Sequence, residues 1–119
     1  MSNGKSGGFP RGKRGAVTRV TGADGQQFEH DPKEEQFKPD KDMTGPLASV
    51  GMSVSVGAST EYAREKYEIA AWCTLPCKPE EQDIVDTYEV CYDFCVKEID
   101  RRRDEVEKVI FPHGMGRRA

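Results

Sequence analysis

The chain has 119 residues, of which 33% are charged and 35% hydrophobic, with a net charge of −3. That length holds one domain at most. The acidic balance excludes a generic polycation, and no stretch approaches the roughly 18 apolar residues of a membrane span.

Charge is unevenly placed. Residues 1–19 carry Lys5, Arg11, Lys13, Arg14 and Arg19 and no acid, whereas residues 20–42 carry seven acids against three bases. Residues 1–46 are rich in Gly and Pro, and their apolar side chains are few: Phe9, Val17, Val20, Phe28, Phe37 and Met43. So little apolar surface does not offset the entropy of an ordered chain. The expectation is a disordered arm, basic then acidic, that orders only on a partner. Within it, Ala16–Thr21 alternates weakly, as a short edge strand would. The N-terminus lacks an apolar core of the secretory type, which predicts a cytoplasmic protein with reduced cysteines.

Residues 47–112 read as the folded domain. Val50, Met52, Val54 and Val56 alternate with Gly51, Ser53, Ser55 and Gly57, the period of a strand with one apolar face. Tyr67, Ile69, Ala71, Cys73 and Leu75 alternate with Glu68, Ala70, Trp72 and Thr74 as a second strand, which Pro76 ends. The polar connection Ala58–Lys66 has room for a helical turn at Glu61–Arg64.

From Pro79 to Phe111 the chain reads as one long helix. Pro79 suits a first helical position, Glu80, Glu81 and Asp83 match the dipole, and Pro112 and Gly114 end the run. Ile84, Tyr88, Cys91, Tyr92, Cys95, Ile99, Val106, Val109 and Ile110 share one stripe. Asp93–Lys97, Glu98–Arg102 and Asp104–Lys108 are spaced as supporting ion pairs. Arg102 interrupts the stripe. The expectation is that packing stops near Ile99 and that Val106, Val109, Ile110 and Phe111 project as an interface for another chain. Residues 113–119 form a short basic tail.

The predicted fold is therefore α+β: an antiparallel β-hairpin packed on one long C-terminal amphipathic helix, behind a disordered arm. Two strands and a helix make a thin core, which predicts a homo-oligomer with a joined sheet.

Four cysteines form two Cys-x3-Cys pairs, Cys73/Cys77 and Cys91/Cys95. Cys91 and Cys95 are one helical turn apart, and Cys73 lies on the inner face of its strand. The four thiolates would suit a tetrahedral zinc. Small buried core thiols, or disulfides, are the alternatives. No other cofactor is indicated.

Trp72 points away from the helix. On an open sheet face it is a candidate stacking platform for a nucleic-acid base, or an interface residue. The arm cations would engage phosphates. His30 and His113 have no readable nucleophile partner, so no catalytic residue is assigned.

Val50–Gly57, then Tyr67-Glu-Ile-Ala-Ala-Trp-Cys-Thr-Leu-Pro-Cys77, then an acidic amphipathic helix resembles small tailed-phage accessory proteins, often encoded near replication or recombination genes. The resemblance covers residues 50–111 and implies a protein of the host cytoplasm that acts on DNA or on a DNA-handling partner. It carries no catalytic residues.

The leading functional expectation is an oligomeric, single-strand nucleic-acid-associated protein that uses Lys5, Arg11, Lys13, Arg14, Arg19 and Trp72. The alternatives are a protein–protein adaptor or inhibitor acting through helix and arm, and a small zinc-stabilised module.

Overall fold

The computed structural model describes residues 12–37, 46–59 and 65–111. Four strands form one antiparallel sheet: β1 (Gly12–Thr21), β2 (Gln27–Phe37), β3 (Ala48–Ser59) and β4 (Lys66–Cys77). Their order across the sheet is β2-β1-β4-β3. One helix, α1 (Glu81–Glu105), covers one face and continues through Val106–Ile110 as a wider π-type turn. The α+β class stands, with twice the expected number of strands.

The two strands read from the alternating pattern pair as expected, Ala48 opposite Cys77 and Ser59 opposite Lys66. Val50, Met52, Val54 and Val56 face α1 together with Ile69, Ala71 and Cys73 of β4. The intervening Ser, Gly and Thr residues face away from the helix.

The correction concerns residues 12–37. They are not a disordered arm but a second hairpin, docked by β1 on the far edge of β4 with Gly15 opposite Trp72 and Arg19 opposite Glu68. Its turn is local chemistry. Gly25 takes the left-handed conformation (φ 86°), the Gly25 N–H donates to the Gly22 carbonyl at 2.9 Å, and the Asp24 carboxylate accepts the Gln26 N–H at 3.0 Å. β1 supplies Ala16 and Val20 to the core. β2 shows no such alternation: its helix-side residues are Phe28 and Phe37 at the ends, with His30, Lys33 and Glu35 between them and the bulge breaking the period.

Arg102 ties this hairpin to the helix. It lies inside the apolar stripe and is fully buried. Its Nε donates to Glu98 Oε1 at 3.0 Å, and its Nη1 donates to Thr18 Oγ1 at 3.1 Å and to the His30 carbonyl at 3.2 Å. Its Nη2 donates to the Asp31 carbonyl and lies 3.5 Å from the Asp31 carboxylate. The carbonyls are aimed by a bulge. The β1–β2 register slips between Ala16 and Thr18, and Asp31 stands there with φ 51°. Bulges re-aim backbone groups in this way.

With its cation satisfied, α1 packs to its end, and the expected stop near Ile99 is overturned. Val106 and Phe111 are buried in the chain's own core. The Phe111 N–H donates to the Val106 carbonyl at 2.8 Å, closing the π-type turn. Two of the expected ion pairs form, Glu98–Arg102 at 3.0 Å and Asp104–Lys108 at 3.1 Å. The helix starts later than expected. Glu80 is the N-cap, its carbonyl accepting the Ile84 N–H at 2.9 Å, which leaves Pro79 just outside.

Removing Arg102 leaves the Glu98 carboxylate and two carbonyls short of donors in a buried site. We expect Arg102→Met to cost on the order of 3 kcal/mol, read as a lower urea midpoint, with Arg102→Lys intermediate. An unchanged midpoint would show that the network contributes nothing. Glu98 adds a pH signature. Burial opposes its ionisation, but hydrogen bonds from Arg102 and Arg101 prevail and hold its carboxyl below the ordinary value. Its contribution is present above the unfolded carboxyl pKa of about 4.3 and is lost as pH falls through the lower folded value. Glu98→Gln should flatten that acid limb.

Candidate interaction surfaces

The sheet places the expected nucleic-acid residues on different sides of the molecule. Lys5 and Arg11 lie outside the described residues. Lys13 and Arg19 share the uncovered face with Trp72, but Arg19 is engaged by Glu68 at 3.1 Å and Glu29 at 3.6 Å. Arg14 points to the helix side. Its guanidinium lies between the rings of Phe37 and Phe94, 4.8 and 4.7 Å from their centroids, and bonds Glu35 at 2.8 Å. Trp72 is half-buried. Its indole lies across Gly15, where any Cβ would come within 2.5 Å of the ring. Only Lys13 and Trp72 therefore stay available together among the described residues.

The expected interface at the end of the helix is also rearranged. Val109 is exposed, Ile110 is half-buried against the core, and Val106 and Phe111 are internal. The uncovered apolar surface lies instead at the other end. Ile84, Val85, Tyr88, Val90 and Tyr92 are all exposed, and the Tyr88 and Tyr92 rings stack at 6.4 Å. The first buried helical residue is Cys91, whose thiol reaches the Val50 carbonyl near the start of β3 at 3.9 Å.

One flank of α1 faces the β1–β2 hairpin. Phe94 meets Arg14, Glu98 meets Lys33 at 3.4 Å, and Arg101 meets Asp31 at 3.2 Å. At 100° per residue the opposite flank carries Val85, Tyr92, Val96 and Arg103, with Tyr88 beside them. That flank faces the outer edge of β3. Val50, Met52, Val54 and Val56 are only half-buried there.

The two edge strands differ in kind. β2 carries Glu29, Asp31, Lys33, Glu34 and Glu35, with Pro32 and the bulge. Those are standard protections against unwanted pairing. β3 reads Ala-Ser-Val-Gly-Met-Ser-Val-Ser-Val-Gly-Ala-Ser, without charge or proline over 12 residues. Among the described residues nothing pairs with its outer edge.

The four cysteines are buried and unbridged. Cys73, Cys91 and Cys95 belong to the same core cluster. Among the described residues no three Cys, His, Asp or Glu side chains converge as a metal site requires. Burial, reinforced by neighbouring Cys73, pushes the Cys91 thiol up to about 12 and Cys95 to about 11. His30, which lacked a readable partner, sits 3.3 Å from Glu105. Among the described residues no helix is long and apolar enough to cross a membrane. Comparison of the chain with protein-family models, curated proteins and solved structures finds no match.

Two signals in the sequence pointed to what was missed. Asp24-Gly25 is a turn pair, and an arginine in an apolar stripe demands acceptors from elsewhere in the chain.

Both shifted thiols are neutral in the fold, whereas an unfolded cysteine ionises near 8.5. Their contribution is full below about pH 8.5 and drains away as pH rises toward the folded values. The urea midpoint should fall between pH 8 and pH 10, and a Cys91→Ala/Cys95→Ala chain should lose that component. Identical pH profiles for the two chains would contradict it.

Proposed function

We propose that the chain is a non-enzymatic binding protein that docks a macromolecule along β3 and the adjacent flank of α1. The observation that carries this reading is the helix seam itself. The stripe that builds the core through Cys91, Cys95 and Ile99 runs on, uncovered, through Tyr88 and Ile84. Exposed apolar patches of this continuity mark interaction sites, and tyrosines are favoured there. A cytoplasmic location with free thiols belongs to the same proposal. So does the phage-accessory context that the resemblance implies.

A second reading, single-strand nucleic-acid binding, is favoured by one observation. Trp72 and Lys13 share the uncovered face at the end of β1 where the basic residues 1–11 join it. Acidic Glu29, Glu34 and Glu68 on the same face weigh against a broad phosphate contact.

The two readings separate by mutation. Tyr88 and Tyr92 are about half exposed, so Tyr88→Asp/Tyr92→Asp should shift the thermal midpoint little, as surface substitutions do. It should abolish assembly, read by sedimentation and by surface labelling of the flank. Assembly that survives this pair would remove the docking reading. Under the second reading, Trp72→Ala should weaken single-strand oligonucleotide binding by about tenfold in fluorescence anisotropy, within the range of one base–aromatic stack. Absence of salt-sensitive binding by the full chain would end that reading.

A further inference from the structure

We propose that the occupant of the β3 edge is a second copy of this chain, paired β3 to β3 antiparallel about a two-fold axis at Ser53. The inference rests on the docking reading above and names its partner.

The first argument is the sequence of the strand. Folded about Ser53, β3 is nearly palindromic. Ala48 falls opposite Ala58, Val50 opposite Val56 and Met52 opposite Val54 on the helix side. On the open side Ser49 falls opposite Gly57, Gly51 opposite Ser55, and Ser53 opposite itself. Every facing position meets a residue of like character over almost the whole strand. An isologous contact needs this self-complementarity. No like charges meet, because the strand has none.

The second argument is geometry. α1 packs on β4 and β3, and strands lie about 4.8 Å apart. Two helices seated over the β3/β4 gaps of a continuous sheet would therefore run antiparallel roughly 10 Å apart, close to the packing distance of helix pairs. The flanks brought together are those bearing Val85, Tyr92, Val96 and Arg103. The half-buried Val50, Met52, Val54 and Val56 would then be covered from both helices. One contact thus covers the half-buried face of β3 together with the Tyr92–Val96 flank of α1.

The third argument is the other edge. The charges, Pro32 and bulge of β2 oppose a β2-to-β3 contact, which would be heterologous and would propagate. Assembly therefore closes at two chains, with an eight-stranded sheet and two helices on one face.

The test uses the full chain. Sedimentation should give twice the 13.3 kDa chain mass. Ser53 is exposed on the open face, so charge there leaves the single-chain fold intact, which circular dichroism checks. Ser53→Lys alone and Ser53→Glu alone each set like charges across the axis, and each should weaken association roughly fivefold. An equimolar mixture of the two should restore it as a mixed dimer. A wild-type dimer indifferent to both charges would overturn β3 pairing. A wild-type monomer whose Tyr88 and Tyr92 become protected only in extract of the source cell would overturn the second copy alone. A monomer with no such protection would overturn the docking reading as well.

Discussion

A guanidinium buried among apolar side chains must find acceptors for its donors, and that constraint organises this fold. Arg102 meets it with Glu98 on its own helix, Thr18 on β1, and the His30 and Asp31 carbonyls on β2. These contacts join α1 to two strands more than 70 residues away in the chain. They hold a hairpin whose outer strand contributes no side chain to the apolar core. Arg101 and Lys33 complete the shell around Glu98 at 2.9 and 3.4 Å. Hydrophobic burial makes the sheet cohere. The polar network decides which way the second hairpin lies, and a bulge with a left-handed aspartate is the local strain it entails.

From that arrangement the asymmetry of the molecule follows. Fixing β1 and β2 on one side turns the charged strand into a closed edge and leaves β3, uncharged and straight-patterned, as the other. It also draws the C-terminal half of α1 onto the sheet, so that the N-terminal half extends beyond it. The flank of α1 that bears Tyr92 and Val96 lies beside the half-buried face of β3, which is why a single contact can cover both. The open sheet face is different in kind: small and polar on β3, charged elsewhere through Lys13, Arg19, Glu29, Glu34 and Glu68, and interrupted by one half-buried tryptophan. The binding reading rests on the first side and the nucleic-acid reading on the second.

Much of this was legible in residue order. β3 and β4 follow from strict alternation, and α1 from its stripe and stop signals, because packing against one neighbour imprints one period on the sequence. β1 left only a weak trace at Ala16–Thr21. β2 left none, since its helix-side positions hold Lys33 and Glu35 for polar contacts. Arg102 was visible but read with the wrong sign: taken as the end of burial, it is the centre of a buried network. The same error placed the free surface at Val106–Phe111 instead of Ile84–Tyr92. Basic residues grouped in sequence were divided by strand alternation, which sends Arg14 to one face and Lys13 and Arg19 to the other.

The most direct test of the central claim is amide hydrogen exchange, resolved by residue, at two protein concentrations. β3 as the working edge predicts that its outward N–H groups gain protection as concentration rises, while those on the free edge of β2 keep the same rates. Concentration-independent exchange along β3, or protection gained along β2 instead, would contradict the account.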